Sequence, residues 1–221
     1  MNPDRSLARI AGILYLVTFA TSIPALALKT PLLDDGIHPD LAVWGALLEI
    51  GLAFACVGTA VFLLPIARRQ SEPLAVGFVV SRTLEAGLIL VGVLCILSLA
   101  KLPGNAADAA LRVLHGWTFL LGPAVMAAVN ALLLGTVMLR GRLVPRVIPI
   151  VGLIGAPILL ASSVGVLFGE WTQTSTIAAL GALPIALWEL SLGLWLTFKG
   201  VRTTGMPAAS ADLSPAPAHV V

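Results

Sequence analysis

The chain has 221 residues, of which 58% are hydrophobic and only 11% charged, with a formal net charge of +2. Soluble domains carry about 25% charged residues, so this composition excludes an ordinary soluble enzyme. The small positive balance calls for no nucleic-acid partner. Crossing a hydrocarbon core of about 30 Å takes roughly 20 apolar residues in a helix, and six stretches of the chain are long enough.

Residues 1–9 are polar and carry Arg5 and Arg9. The first helix is predicted at 10–28. Its two leading arginines, apolar core and Ala25-Leu26-Ala27 imitate a cleaved secretory signal, but the run is longer than a signal core, so it is read as a retained span. The second helix, 41–66, contains Glu49 and Cys56; the third, 74–99, contains Arg82, Glu85 and Cys95. The fourth, 114–139, has His115 near its start and holds Pro123 and Asn130, the fifth spans 147–168, and the sixth, 177–198, contains Glu189. Two longer connections, 29–40 and 100–113, read as loops, the second with a turn at Pro103-Gly104-Asn105. From 200 to 221 the composition shifts to Pro, Ala, Ser and Gly, which cannot bury a core and predicts a disordered tail.

Lipid-facing strands would leave backbone groups unpaired, and no alternating ten-residue segments suggest a barrel, so the expected fold is an all-α, polytopic bundle of six transmembrane helices. Orientation follows from Lys and Arg in the short loops, whose excess marks the cytoplasmic side. Arg5, Arg9, Arg68, Arg69, Arg140, Arg142, Arg146, Lys199 and Arg202 fall on one side, against Lys29, Lys101 and Arg112 on the other. Both termini are therefore expected in the cytoplasm. Trp44, Trp117 and Trp171 near one boundary and Trp195 near the other suit interfacial anchors, whereas Trp188 is expected in the interior. Cys56 and Cys95 lie at different depths and are not expected to form a disulfide.

Four ionisable residues interrupt the apolar runs: Glu49, Arg82, Glu85 and Glu189. A charge at bilayer centre costs about 2.5–3.5 kcal/mol even on the lenient insertion scale, so it has either a partner or a task. At 1.5 Å per residue, Glu49 and Glu189 lie about 12 and 18 Å from one end of their helices, and Arg82 and Glu85 about 12 and 16 Å from the other end of theirs. All four thus reach the central zone, where one polar cluster can form, with Asn130 on the cytoplasmic side and His115 near the opposite mouth. Arg82 and Glu85, three apart, are neighbours on one helix. That pairing leaves Glu49 and Glu189 without a cation, to be met by protons, a cationic solute or water, or by sharing Arg82.

No catalytic motif is present. His38, His115 and His219 share no metal-ligand spacing, Ser162 and Ser163 have no paired base, and no cofactor-binding loop occurs, so neither a metal nor a cofactor is expected. Around Glu49 and Glu189 the chain reads ALLEIGL and ALWELSL, a similarity that either marks an internal repeat or arises by chance in so Ala- and Leu-rich a chain.

The strings ARIAGILYLVT (8–18), GALLE (45–49), SRTLEA (81–86), HGWTFLLGP (115–123), NALLLG (130–135), RLVPR (142–146) and WELSLGLWLTFKG (188–200) together resemble a bacterial membrane family, domain of unknown function 4386, over about 7–201. The resemblance implies a bacterial inner-membrane protein of several helices and brings no catalytic residue. Its polar positions coincide with Glu49, Arg82, Glu85, His115, Asn130 and Glu189.

Two readings follow. In one, the cluster is the site of a small proton- or cation-coupled transporter or permeation protein, with Arg82 and Glu85 as gate or counter-charge. In the other, the network only locks the helices of a scaffold or regulatory membrane protein. An intramembrane enzyme is a weaker third. The expected partners are the bilayer and protons or a small cationic solute, and the Gly-rich helix faces suit oligomers.

Overall fold

The computed structural model describes residues 3–202. Within them, six helices are long and apolar enough to cross a membrane: α1 (Pro3–Asp35), α2 (Pro39–Ala67), α3 (Glu72–Lys101), α4 (Asp108–Arg140), α5 (Val147–Leu167) and α6 (Thr176–Phe198). No strand occurs among the described residues. The tail expected to be disordered lies, beyond Arg202, outside the described residues.

Two expected loops are mostly helix. The connection expected at 29–40 shrinks to 36–38, because α1 runs on to Asp35. Hydropathy marks where the apolar run ends, whereas the buried face continues: Ala25, Lys29 and Leu32 keep helical spacing and all face the interior. The helix stops at Gly36, whose φ of 75° suits the left-handed residue that ends helices. Arg112 Nη1 then donates to the terminal carbonyls of Leu32 (2.6 Å), which also accepts from Gly36 N at 3.2 Å, and of Leu33. Likewise α3 extends to Lys101 and α4 starts at Asp108, where Asp108 Oδ2 accepts from Gly104 N at 2.9 Å.

Each helix packs on its neighbours in the chain, and α6 closes the ring on α1. At the end carrying the termini the interior is solid: Leu63, Ile66, Phe78, Leu134, Met138 and Leu196 are fully buried. Here α1 and α6 touch backbone to backbone, since a Cβ on Gly12 would stand 2.5 Å from Thr197 N and 2.8 Å from Gly193 O. The ends are tied down as well. Arg69 donates to both oxygens of Asp4 at 2.8 and 2.9 Å, and Arg202 N donates to Leu143 O at 2.8 Å. Proximity to Asp4 raises the Arg69 pKa above its ordinary value, chiefly through that hydrogen bond.

The opposite half is looser. In α4 the segment Leu120–Met126 is π-helical, around Pro123, which has no N–H to offer the carbonyl four residues back. Such wide turns recur at functional sites. Six apolar helices with buried charge inside the ring make this a multi-pass membrane protein.

Candidate functional site

Arg82 of α3 is 1% exposed and stands at the centre of a shared network. Its Nη1 donates to Glu85 Oε2 at 2.8 Å, one helical turn along, and its Nη2 donates to Glu189 Oε1 of α6 at 3.1 Å. Asn130 Nδ2 of α4 donates to the same Glu85 Oε2 at 2.6 Å. The Tyr15 ring of α1 lies 4.9 Å from the guanidinium carbon, close enough for a cation–π contact. Arg82 Nε and Asn130 Oδ1 are buried without a hydrogen-bond partner, so protein groups do not saturate the network. Glu85 is held by two donors and Glu189 by Arg82 through one oxygen, which makes Glu189 the looser carboxylate.

Above this network, toward the end away from the termini, the helices surround a half-open cavity of ≈ 370 Å³. Arg82, Glu85 and Glu189 form its polar floor. The walls are mainly apolar, with Leu52, Ile89, Leu120, Ala124, Leu159 and Ile185 among them, and the π-helical turn of α4 supplies part of one side. Ser162 and Ser163 also line it, but the Ser163 hydroxyl donates to Leu159 O at 2.8 Å. Ligand pockets are typically about 300–1,000 Å³, largely apolar and with a few placed polar groups, which is the character of this space.

Glu49 is not part of that network. It pairs with Lys29 Nζ from α1, which also sits 3.3 Å from His115 Nε2 and over the Phe119 ring at 5.1 Å. A charged Lys29 has no acceptor to offer, so His115 Nε2 takes the accepting role and the ring proton goes to Nδ1. Ile89, Phe119 and Pro123 line both the large cavity and the small space around this second cluster, and so form the wall between them.

The expectation of one cluster is therefore corrected, and of the alternatives left open for Glu189 the structure shows the sharing of Arg82. There are two clusters: Lys29–Glu49–His115, balanced one to one, and Arg82–Glu85–Glu189–Asn130, with one cation for two carboxylates. Lys29, expected in an external loop, is 1% exposed inside the bundle. Among the described residues, no three His, Cys, Asp or Glu are grouped to hold a metal ion. Cys56 and Cys95 are both free.

The family model for a domain of unknown function, DUF4386, matches residues 10–200. The chain belongs to this family. The DUF4386 match spans every residue of both clusters. No curated protein and no solved structure matches the chain, and DUF4386 membership brings neither substrate nor catalytic residue.

Two site residues escaped the sequence reading. Lys29 lies just beyond the apolar run, but its spacing from Ala25 and Leu32 continues the small-residue face of α1 and would have placed it inside. Tyr15 is the single tyrosine of the chain, on the same face as Ala8, Ala11 and Gly12. Its position under Arg82 depends on the α1–α6 crossing, which has no local signal.

Proposed function

We propose that this DUF4386 protein is a small proton- or cation-coupled transporter of the bacterial cytoplasmic membrane, with Glu189 as the exchanging group. One observation carries the reading: two carboxylates share one guanidinium at the floor of a ≈ 370 Å³ cavity. With all three groups ionised the floor holds one surplus negative charge, and a desolvated charge of this kind is neutralised by a proton or a cation. Glu189 suits the exchange because its side chain is 16% exposed against 6% for Glu85. Secondary transporters place coupling sites at this depth.

The orientation belongs to the same proposal. With Lys29 removed from the loops, nine basic residues stand at the terminal end (Arg5, Arg9, Arg68, Arg69, Arg140, Arg142, Arg146, Lys199, Arg202) against Lys101 and Arg112 at the other. The positive-inside rule then puts both termini in the cytoplasm and turns the cavity toward the exterior. A reporter fused after Arg202 is expected to be active only in the cytoplasm; an external signal would reverse the orientation.

The transport test uses proteoliposomes loaded with a pH-sensitive dye and given a gradient of sodium or tetraethylammonium. Protein-dependent proton movement is expected, falling at least tenfold in Glu189→Gln. Wild-type vesicles that match empty ones overturn the coupled-transport reading. A scaffold reading is favoured by one feature, the charge-balanced Lys29–Glu49 pair, and it predicts that silent outcome.

A further inference from the structure

We infer that the cavity takes a lipophilic organic cation, an apolar body with one positive charge, and that this ligand enters sideways from the bilayer between α1 and α6. The inference rests on the proposed reading of Glu189 as the exchangeable charge and adds the ligand class and the route.

The route rests on the residues that α1 and α6 contribute to the cavity and on their exposure. In the terminal half they are locked at Gly12 and Gly193, where no side chain fits between the backbones. Farther along, both helices contribute lining residues to the cavity. On α6 these are Ala178, Ala182 and Ala186, four residues apart and leading down to Glu189. On α1, Ile23 lines the cavity and yet is 66% exposed, so it stands on the rim. Ile23 falls within the apolar run of α1, at the depth of lipid tails and not of headgroups. The aqueous end is bridged: Gln173, from the connection between α5 and α6, lines the cavity and donates from Nε2 to Gly116 O of α4 at 2.9 Å.

The ligand class follows from the chemistry of the space. A hydrated metal ion or a polar solute would have to shed water against mainly apolar walls, at a cost a single carboxylate does not offset. A bare apolar molecule would leave the surplus charge on the floor unanswered. An apolar body with one delocalised positive charge satisfies both, by burying its surface against the walls and bringing its charge to Glu189.

The test is equilibrium binding to the full-length protein in lipid nanodiscs, with tetraphenylphosphonium as probe and tetraphenylborate, of equal shape and opposite charge, as control. Saturable tetraphenylphosphonium binding is expected, at least tenfold tighter than any tetraphenylborate binding and at least tenfold weaker in Glu189→Gln. Ala182→Trp, which places an indole in the mouth, is expected to weaken binding at least tenfold with an unchanged melting temperature. Equal affinity for the two ions, or wild-type affinity in Glu189→Gln, overturns the ligand class, and wild-type affinity in a folded Ala182→Trp overturns the route. Sodium- or tetraethylammonium-driven proton flux without tetraphenylphosphonium binding sinks this inference and leaves coupled transport standing. Binding without flux does the reverse.

Discussion

The two buried charge clusters use the same chemistry in different company. Lys29 and Glu49 are one cation and one anion, walled off by Ile89, Phe119 and Pro123, with His115 completing the contacts. Arg82 serves two carboxylates at once and forms, with them, the floor of a large cavity. A balanced pair with almost no free space beside it has no surplus charge to exchange and suits a role in fitting α1, α2 and α4 together. An unbalanced and accessible set has a charge to trade. Balance and adjoining free space, more than burial, distinguish the two clusters, and on the proposed reading they separate a structural cluster from a functional one.

The comparison can be broken by substitution. The largest effect is expected for Arg82→Met, which leaves Glu85 and Glu189 buried without their cation and should cost about 3–5 kcal/mol or more. Loss of monodisperse protein in detergent is the readout, and Arg82→Met combined with Glu85→Gln and Glu189→Gln should recover much of it. Next comes the pair Glu49→Gln and Glu189→Gln, measured by thermal unfolding. Glu49→Gln strands a buried Lys29, whose remaining acceptors are the new amide oxygen and His115, and should cost roughly 3 kcal/mol. Glu189→Gln removes the surplus charge and should leave the melting temperature unchanged or raise it. The opposite order would exchange the roles of the two clusters.

A smaller loss is expected for Gly12→Val, which drives a side chain into the backbone of α6 at the crossing that closes the terminal half, about 1–3 kcal/mol for overpacking. If stability were unaffected, the α1–α6 seam would be looser there than the fold implies. The smallest effect belongs to Asp4→Asn. The Asp4 side chain is 9% exposed but its partner Arg69 is 37% exposed, so the pair is half open to solvent and is expected near the upper end of the roughly 0–1 kcal/mol of surface pairs. A loss well above that range, measured by the same unfolding, would show that the terminal tie matters as much as the interior ones.

The sequence by itself determined that the protein is a six-helix membrane bundle and that Glu49, Arg82, Glu85 and Glu189 lie inside it, but not that Lys29 joins them. Hydrophobic run length reports directly on the solvent a segment needs, and the backbone in lipid has few alternatives to a helix. Local spacing also made the Arg82–Glu85 pair legible, because residues three apart meet on any helix. Partnership between helices was not legible. That Lys29 belongs with Glu49 and that Glu189 shares Arg82 depend on which faces the ring turns inward. Those faces are set by close backbone contacts such as Gly12 against Thr197 and Gly193, and by the π-helical turn at Leu120–Met126, which shifts the rest of α4 in register. Only the tertiary structure decided that the polar residues form two clusters, that one carboxylate is in surplus and not two, and that a cavity reaches it. Charge balance at a site depends on neighbours brought from distant parts of the chain.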